Sequence, residues 1–445
     1  MVDAFKETNP KGINLREVAK EKGIEYFLVS FVDLFGGLRS KLVPARAIEQ
    51  MQTDGAGFAG FATWLNLTPA HPDMFGVPDP ESLVQIPWQP DVGWLASDLY
   101  MDGEPIRASP RIALKNQLKR AEQMNMRMKT GVECEFFIIS ECGNMIADDA
   151  DVATKPCYDQ LALMRRFSVI RQICDAMIEL GWNPYQNDHE DANGQFEMNW
   201  DYDDALKTAD RHVFFKYMVK ALCEADGKRA TFMPKPFSHL TGNGCHAHVS
   251  VWDPTGKNNL FLDEGEQLGL SETAYQFLGG IMHNAEELCA LFNPTVNSYK
   301  RINAPRTTSG STWAPESVTY SGNNRTHMIR VPDVGRFELR LMDGAANPYL
   351  LQAGILAAGL DGLNNKRNPG APQFLNMFEE GHKAKVDKNL PKCLLDAIRL
   401  LNNSSVLRKE LGDELIDSYV YLKEQEWRDY STHLTEWEKA HTLDI

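Results

Sequence analysis

Positive charge is scarce in this 445-residue chain, which carries 46 lysines and arginines against 61 acidic residues and a formal net charge of −15. Such an acidic balance argues against nucleic acid or an anionic membrane as the main partner. The sequence also lacks any apolar run near the roughly 20 residues that a membrane span needs. Local basic groups, such as Lys300–Arg301, can still bind a small anion.

Paired cysteines are lacking as well. There is no CxxC motif, and the N-terminus is not signal-like, which together predict free thiols in a reducing cytoplasm rather than disulfides. The cysteines and histidines also lack zinc-ligand spacing, so no structural zinc site is expected. We expect each thiol to be a small, buried, apolar side chain. The eight cysteines are Cys134, Cys142, Cys157, Cys174, Cys223, Cys245, Cys289 and Cys393.

The length of the chain is too great for one ordinary core, which favours two domains. Residues 1–108 contain an alternating β-rich stretch, Ile24–Gly36, and a proline-rich stretch from Pro69 to Pro110, which predicts a small, mostly-β domain. From Ser109 onward, strand-like and helical patterns alternate and the last third is helical. The sequence therefore predicts an α+β protein with a second, larger domain over residues 109–445.

Two short motifs place acidic residues together. In GVECEFF, the period of two along a strand places Glu133 and Glu135 on one face, where they repel each other unless a cation lies between them. In HEDANGQFE, a predicted hairpin brings Glu190 and Glu197 onto its two arms. Taken alone, the first motif could be a solvent-facing acidic strand edge and the second a charged hairpin tip.

Histidines and arginines extend the pattern. His246, His248 and Ser250 share one face of the predicted strand GCHAHVSVW, where one histidine suits an oxygen-rich metal site and the other a hydrogen bond to substrate. Taken alone, the alternating charges of RFELRL could form a solvated salt-bridge ladder. Together the carboxylates favour two hard cations, Mg²⁺ or Mn²⁺, and the guanidinium groups favour phosphate and carboxylate ligands. Those groups belong to Arg301, Arg325, Arg330, Arg336 and Arg340.

The order of these motifs resembles that of the glutamine synthetase family. The resemblance runs from about residue 24 to residue 365. It implies an N-terminal β-grasp domain and a large catalytic domain with a curved antiparallel sheet flanked by helices. The motifs that carry it are GVECEFF, HEDANGQFE, GNGCHAHVS, NPTVNSYKRI, NNRTHMIRVP and RFELRLMDGAANPYL, with FVDLFGGLRSKLVP and PDMFGVPDP in the N-terminal part.

The resemblance also implies a role for each candidate residue. A first metal site is implied at Glu135, Glu190 and Glu197, and a second among the ATP phosphates at Glu133, His246 and Glu338. Glutamate is held by Arg301, Arg340, Asn243 and Gly244. The phosphates are steadied by Arg325, Arg330 and Arg336. Nucleotide and substrate are contacted by His248 and Ser250, and Tyr158 lies near the ammonium pocket.

The implied reaction uses ATP to phosphorylate the γ-carboxylate of L-glutamate, because a carboxylate does not condense with an amine at neutral pH. Two divalent cations and the arginines neutralise the transferring phosphoryl group. A neutral amine then attacks the γ-glutamyl phosphate, and phosphate leaves. Glu190, helped by Tyr158, is the candidate base.

The chain departs from the ammonium-using members at two positions. Those members carry a glutamate directly before an Ala-Pro pair, where this chain has Trp313. They also offer an acid from the neighbouring subunit, where this chain has Ala59, with Ala62 at a serine position. A pocket with less negative charge and an aromatic wall favours methylamine. The sequence is thus most like the γ-glutamylmethylamide synthetase subgroup, which consists of glutamate–methylamine ligases.

Three alternatives remain open at this point. The enzyme could use ammonia, with Glu190, Glu316 or Tyr158 covering the lost acids, or it could use a larger amine such as ethanolamine or a polyamine. A catalytically silent regulator is disfavoured because all six metal-ligand positions are filled. Since the family's active site lies between neighbouring subunits, the resemblance also predicts a ring-shaped homo-oligomer, two stacked rings forming a dodecamer, in the cytoplasm.

Overall fold

The computed structural model describes residues 8–305, 307, 314–384 and 386–445. Its first helix, α1 (Leu15–Lys22), begins where the Asn14 side chain accepts hydrogen bonds from the next backbone amides, and it ends at Gly23, whose φ of 69° suits a residue without a Cβ. A second helix, α2 (Ile48–Asp54), follows the first hairpin. The strands of this part are β1 (Tyr26–Val32), β2 (Leu38–Pro44), β3 (Ala56–Phe58), β4 (Met74–Pro78), β5 (Val84–Gln85), β6 (Val92–Met101) and β7 (Glu104–Pro105).

These strands form a seven-stranded sheet in the order β2-β1-β6-β4-β3, with β5 and β7 also paired to β6. The pairing of β1 with β6 is parallel, and the other pairs are antiparallel. Strand β6 is buried along most of its length because it lies at the centre of this sheet. The two helices cover one side through a small apolar cluster that includes Leu15, Phe27 and Ile48.

Two further sheets carry the rest of the fold. The six-stranded sheet has the order β12-β8-β14-β17-β16-β15, and the four-stranded sheet has the order β10-β11-β9-β13. All neighbours are antiparallel except β15 and β16. The strands are β8 (Arg127–Cys134), β9 (Phe136–Ile139), β10 (Gln186–His189), β11 (Gln195–Asn199), β12 (Asp203–Asp204), β13 (Arg229–Thr231), β14 (Cys245–Trp252), β15 (Tyr320–Ser321), β16 (Ile329–Asp333) and β17 (Arg336–Leu339).

Helices pack around these sheets and form the C-terminal part, which confirms the α+β prediction. The most buried is α10, in which almost every residue is inaccessible and glycines allow close approach. A Cβ at Gly280 would lie 2.1 Å from the Ala358 carbonyl oxygen. The helices are α3 (Pro110–Gln123), α4 (Gln160–Arg165), α5 (Phe167–Glu179), α6 (Ala205–Ala225), α7 (Glu272–His283), α8 (Ala285–Phe292), α9 (Ser298–Ile302), α10 (Pro348–Asn364), α11 (Met377–Glu380), α12 (Leu394–Asn403), α13 (Ser405–Leu411), α14 (Asp413–Thr432) and α15 (Glu436–Thr442).

A buried ion network joins the first sheet to the rest of the fold. Arg111, on α3, lies 2.8 Å from Asp79, 2.7 Å from Asp98 and 2.9 Å from Asp210 on α6. The hydroxyl of Tyr349 donates a further hydrogen bond of 2.6 Å to Asp210. One guanidinium group therefore ties together the seven-stranded sheet, α3, α6 and α10. Among the described residues, no helix combines the length and the apolar character that crossing a membrane would require.

Candidate active site

The predicted strand GVECEFF is divided between two sheets. Strand β8 ends at Cys134 and β9 begins at Phe136, so the chain leaves the six-stranded sheet and enters the four-stranded one at Glu135. The backbone amide of Glu135 still donates to the Gly244 carbonyl oxygen at 3.2 Å. The strand is therefore not continuous, but Glu133 and Glu135 still face the same site, since the charges of both act on Glu197.

The first group of possible metal ligands lies across three adjacent strands, β8, β14 and β17. It consists of Glu133, His246 and Glu338, whose ligand atoms lie within 4.8 Å of one another. His246 Nδ1 is 3.4 Å from Glu133 Oε2 and 3.5 Å from Glu338 Oε1. Burial, followed by the positive charge of Arg340, lowers the pKa of His246 to about 4, so its imidazole is neutral and can bind a cation at neutral pH.

The second group lies on the predicted hairpin, which β10 and β11 form. It consists of Asp188, Glu190 and Glu197, again with ligand atoms within 4.8 Å, and Asp188 is paired directly with Glu197 across the strands. Burial and neighbouring negative charge raise the pKa of Asp188 to about 6 and that of Glu190 to about 7, and raise the pKa of Glu197 well above its usual range. A divalent cation bound here would relieve this repulsion.

Asp188 was not predicted from the sequence. It stands two residues before Glu190 in NDHE, so the period of two that was applied to GVECEFF could have identified it. Its Oδ1 atom is buried and has no hydrogen-bond partner. Oxygen atoms from three carboxylates suit Mg²⁺ or Mn²⁺, as do the two carboxylates and one imidazole of the first group.

Glu135 lies outside both groups of three but is electrostatically joined to the second. Its Oε2 atom accepts hydrogen bonds from the Gly244 backbone amide at 2.7 Å and from Gln195 Nε2 at 3.0 Å. Burial, followed by the negative charge of Glu190, raises the pKa of Glu135 to about 8. The carboxyl group is therefore fixed in position and lacks a cationic partner strong enough to keep it ionised.

The predicted arginines line the first group. Arg340 Nη1 donates to Glu338 Oε1 at 2.6 Å, and Arg330 Nε forms an ion pair of 2.6 Å with Glu338 Oε2. Arg336 Nη1 lies 2.7 Å from His248 Nδ1. Arg325 is exposed, and its positive charge acts on Arg330. Arg330 and Arg340 therefore contact Glu338 directly, and Arg336 contacts the neighbouring His248.

The fifth arginine, Arg301 on α9, is only 3% exposed, and its Nη1 atom has no hydrogen-bond partner. Arg330 Nη1 and Arg340 Nε are likewise buried and without hydrogen-bond partners. Buried donors of this kind carry a cost in free energy unless an acceptor reaches them. They fit the carboxylate and phosphate oxygens of an anionic ligand.

The other predicted contact residues, Asn243, His248 and Ser250, form hydrogen bonds within the protein. The Asn243 side chain is fully buried and donates to the backbone carbonyls of Thr231 and Met233, so that amide supports the loop rather than projecting into the site. His248 Nε2 lies 2.9 Å from Glu133 Oε1, and Ser250 Oγ accepts a hydrogen bond from Trp252.

Among the residues predicted for the amine pocket, Tyr158 lies near the second ligand group, where the charge of Glu190 acts on it. The backbone amide of Tyr158 donates a hydrogen bond to the carbonyl oxygen of His189, the last residue of β10, and Tyr158 is 70% exposed. The neighbouring Cys157, burial and Glu190 raise the pKa of Tyr158 to about 12. Ala59 and Ala62 are exposed on the turn after β3. Trp313 lies outside the described residues.

One group of possible cation ligands lies on the six-stranded sheet and the other on the hairpin of the four-stranded sheet, and buried arginines lie beside them. Together they define a phosphoryl-transfer class of active site. Comparison with known proteins identifies the family. Residues 107–441 match the model of the glutamine synthetase catalytic domain. The chain therefore belongs to the glutamine synthetase family.

Individual relatives carry two different names. A glutamine synthetase of Rhizobium leguminosarum bv. phaseoli is 59% identical over 97% of this chain and all of its own length. A glutamate–methylamine ligase of Methyloversatilis universalis is 41% identical over 97% of this chain and 98% of its own. A solved structure named "GmaS/ADP complex-Conformation 1" superimposes with a TM-score of 0.94 at 59% identity, covering 97% of this chain and 100% of that one.

Proposed function

We propose that this protein is an ATP-dependent ligase that joins the γ-carboxylate of L-glutamate to a small amine, most specifically methylamine. The observation that carries the proposal is the pair of ligand groups, one on each of two sheets, beside buried arginines with unpartnered N–H groups. Family membership supports the same reaction class. ATP and two divalent cations, Mg²⁺ or Mn²⁺, complete the reactants.

The metal ligands are proposed as two sets. Glu133, His246 and Glu338 hold the cation beside the ATP phosphates. The second cation is held by Glu135, Glu190 and Glu197, and the structure adds Asp188 to that set. When bound, the cations neutralise charge on the transferring phosphoryl group and the γ-carboxylate.

We assign the five arginines to two anionic ligands, glutamate and the ATP phosphates. Arg301 and Arg340, which carry buried donors without partners, bind the carboxylates of glutamate, and Asn243–Gly244 form the loop at its α-amino end. Arg325, Arg330 and Arg336 steady the phosphates, with His248 and Ser250 as further contacts. Guanidinium groups suit this work because they stay charged when buried and bind oxygen pairs.

Glu190 is proposed as the base that takes a proton from the amine. An alkylammonium resembles the end of a lysine side chain, whose pKa is about 10.4, so it must lose a proton before it attacks. Glu190 follows directly on β10 beside the second ligand group, so its carboxylate is placed to take that proton from an amine held there. Tyr158, whose backbone is anchored at the end of the same strand, assists at the entrance.

Methylamine is favoured over ammonia by two positions. Trp313 and Ala59 provide an aromatic and an apolar group where ammonium-using members carry acids. The structures at 59% and 57% identity are named GmaS, that is, γ-glutamylmethylamide synthetase. Glutamine synthesis is the second candidate, because the relative from Rhizobium at the same 59% identity is named glutamine synthetase.

An amine panel distinguishes the two candidates. ADP release is measured with glutamate, ATP and Mg²⁺ while ammonium, methylamine, ethylamine or ethanolamine is varied. Burial of one methyl group contributes about 0.8 kcal/mol, so the aliphatic contact alone gives discrimination below tenfold. Loss of the ammonium-binding acids is expected to increase this discrimination, so that methylamine has the higher kcat/KM.

The matched variants are Trp313→Glu and the double variant Trp313→Glu/Ala59→Asp, which should move the preference toward ammonium. Glu316→Gln tests separately whether that acid covers the lost ones, and it should leave the preference for methylamine unchanged. If the unmodified enzyme prefers ammonium, or if Trp313→Ala leaves the KM for methylamine unchanged, glutamine synthesis replaces this proposal.

Assembly and location complete the proposal. We propose that residues 1–108 act as a β-grasp domain covering the catalytic domain, residues 109–445, of a neighbouring subunit in a two-ring dodecamer in the cytoplasm. The exposed Phe61 and Trp64 beside Ala59 support a subunit contact there. Light scattering of active enzyme should give the mass of about twelve 50.2-kDa chains, and a mass of one or two chains would contradict it.

A further inference from the structure

Two cysteines and a histidine meet in the core behind the candidate active site. Cys134 is the last residue of β8, Cys245 is the first residue of β14, and His212 lies on α6. The three side chains are at most 1% exposed, and their ligand atoms lie within 4.8 Å of one another. Because side chains alternate along a strand, Cys134 points away from the face that carries Glu133. None of the three takes part in the proposed reaction.

The strand register places the two cysteines directly opposite each other. The hydrogen bond from the Glu135 amide to the Gly244 carbonyl lies just beyond them, so they occupy a non-hydrogen-bonded position of the antiparallel pair. Cα atoms at such a position are about 4.5 Å apart. Disulfides join Cα atoms about 4.4–6.8 Å apart, so a bond can form here with little backbone movement.

A bound metal ion explains this cluster less well than a thiol pair does. Structural zinc sites have four ligands, and only three are present in the described part of the chain. The positive charges of Lys216 and Lys220 act on the Cys134 sulfur and oppose a dication. His212 Nδ1 is buried without a partner, whereas a metal-binding histidine normally donates its second N–H group.

We propose that Cys134 and Cys245 are a redox-active pair that a hydroperoxide converts to an interstrand disulfide. One thiol attacks the O–O bond, which gives a sulfenic acid and releases the alcohol, or water from hydrogen peroxide. The second sulfur then attacks the sulfenic sulfur, the S–S bond forms and water leaves. The two cysteines lose two electrons and two protons in total, and a dithiol reverses the step.

Oxidation would act on catalysis through the backbone. Glu133 and Glu135 flank one cysteine, and His246 follows the other. An S–S bond of about 2.05 Å would fix the end of β8 against the start of β14. A displacement of about 1 Å in a catalytic constellation can cost on the order of 100-fold in rate, so even the small backbone shift that closes the bond should lower the activity of the disulfide form several-fold. This consequence depends on the proposed function, whereas the disulfide itself does not.

The experiment treats the full-length protein with hydrogen peroxide in the presence of a chelator, then alkylates free thiols and maps peptides without reduction. The expected product joins the Cys134 and Cys245 peptides and lacks two hydrogens. Activity, assayed after Mg²⁺ is restored, should fall in proportion to this product and return with dithiothreitol. Cys134→Ala and Cys245→Ala should each resist inactivation, while Cys289→Ala, a buried cysteine on α8, should stay as sensitive as the unmodified protein.

Several results would overturn the proposal. One is inactivation that follows oxidation of the exposed Cys142, and another is that both single variants are as sensitive to peroxide as the unmodified protein. A linked product with unchanged activity, or no linked product even in mild urea, would also overturn it. Stoichiometric zinc released on thiol modification would assign the cluster to a metal instead. Because the linkage is measured by mass, it is distinguishable from failure of the proposed function, which would appear as no ADP release with any amine.

Discussion

The buried carboxyl groups of the second ligand group are in an unfavourable state without a cation. The pKa of Glu135 is raised to about 8 and that of Glu190 to about 7, against an ordinary value of 4.5. Both groups therefore bind protons more tightly in the folded protein than in the unfolded chain. Their contribution to stability is complete below pH 4.5 and is lost as the pH rises through 7 and 8.

This linkage predicts a pH-dependent melting temperature for the metal-free enzyme. The Tm should fall as the pH is raised from about 5 to about 8, and saturating Mg²⁺ should remove most of the fall because the cation replaces the protons. Differential scanning calorimetry with and without chelator measures both curves. A metal-free Tm that stays level or rises over this range would show that these carboxyls do not titrate as described.

Asp188 provides a second test at the level of single residues. Asp188→Asn removes one negative charge from the group but keeps its shape, so the Mg²⁺ concentration needed for half-maximal activity should rise, on the order of tenfold for a lost interaction of about 1.4 kcal/mol. Titration of activity with Mg²⁺ measures it, and Asp175→Asn, on the exposed face of α5, is the control. An unchanged Mg²⁺ requirement would remove Asp188 from the metal set.

Substitution of the other proposed ligand carboxylates should have larger effects. Glu135→Ala and Glu197→Ala should abolish ADP release while leaving the circular dichroism spectrum unchanged, because these acids serve the cation rather than the core. Glu133→Ala and Glu338→Ala should weaken ATP binding more than glutamate binding, measured by calorimetry. Near-normal ADP release from Glu135→Ala at saturating Mg²⁺ would refute the assignment.

Among the secondary-structure elements, the start of β14 passes so close to the site that Gly244 has no room for a side chain. A Cβ there would lie 2.9 Å from His246 Nε2, 3.0 Å from Glu135 Oε1 and 3.1 Å from Arg301 Nη2. Gly244→Ala should therefore reduce kcat/KM for glutamate by roughly 100-fold, since it displaces three functional groups at once. Steady-state kinetics test this, with Gly381→Ala, where the new Cβ meets only an ordinary contact, as the control.

The elements also show how far sequence reasoning reaches. Short-range patterns were sufficient for the β10–β11 hairpin and for the alternation of Arg336, Glu338 and Arg340, because both depend on a period of two within one strand. They did not show that the chain changes sheets at Glu135, because strand pairing partners are set by residues far away in the sequence. The meeting of Cys134 with His212 and Cys245 was missed for the same reason, since it depends on register between strands and on helix packing.

At the scale of the whole molecule, Arg111 is the junction between the first sheet and the helices. Removing one partner of a buried ion network leaves uncompensated charge, which typically costs about 3–5 kcal/mol. Arg111→Met should lower the free energy of unfolding by that order, because Asp98 and Asp210 would remain buried. Arg120→Met, on the same helix with a half-exposed ion pair to Glu410, should cost about 1 kcal/mol or less.

Urea denaturation followed by circular dichroism compares the two substitutions. Equal effects of the two variants would show that the network at Arg111 contributes no more than an ordinary surface pair.

The chain crosses between two sheets at Glu135, so the proposed ATP and cation ligands lie on strands that belong to both sheets. Almost any substitution among them would disturb the packing of those strands. Ala59 stands on a turn outside the strands, and Trp313 belongs to the segment between α9 and β15. On the proposed assignment of amine choice to these two positions, a change of nitrogen donor leaves the costly part of the architecture untouched. A few peripheral substitutions would then exchange one amine for another, and overall identity would be a poor guide to which amine a given member uses.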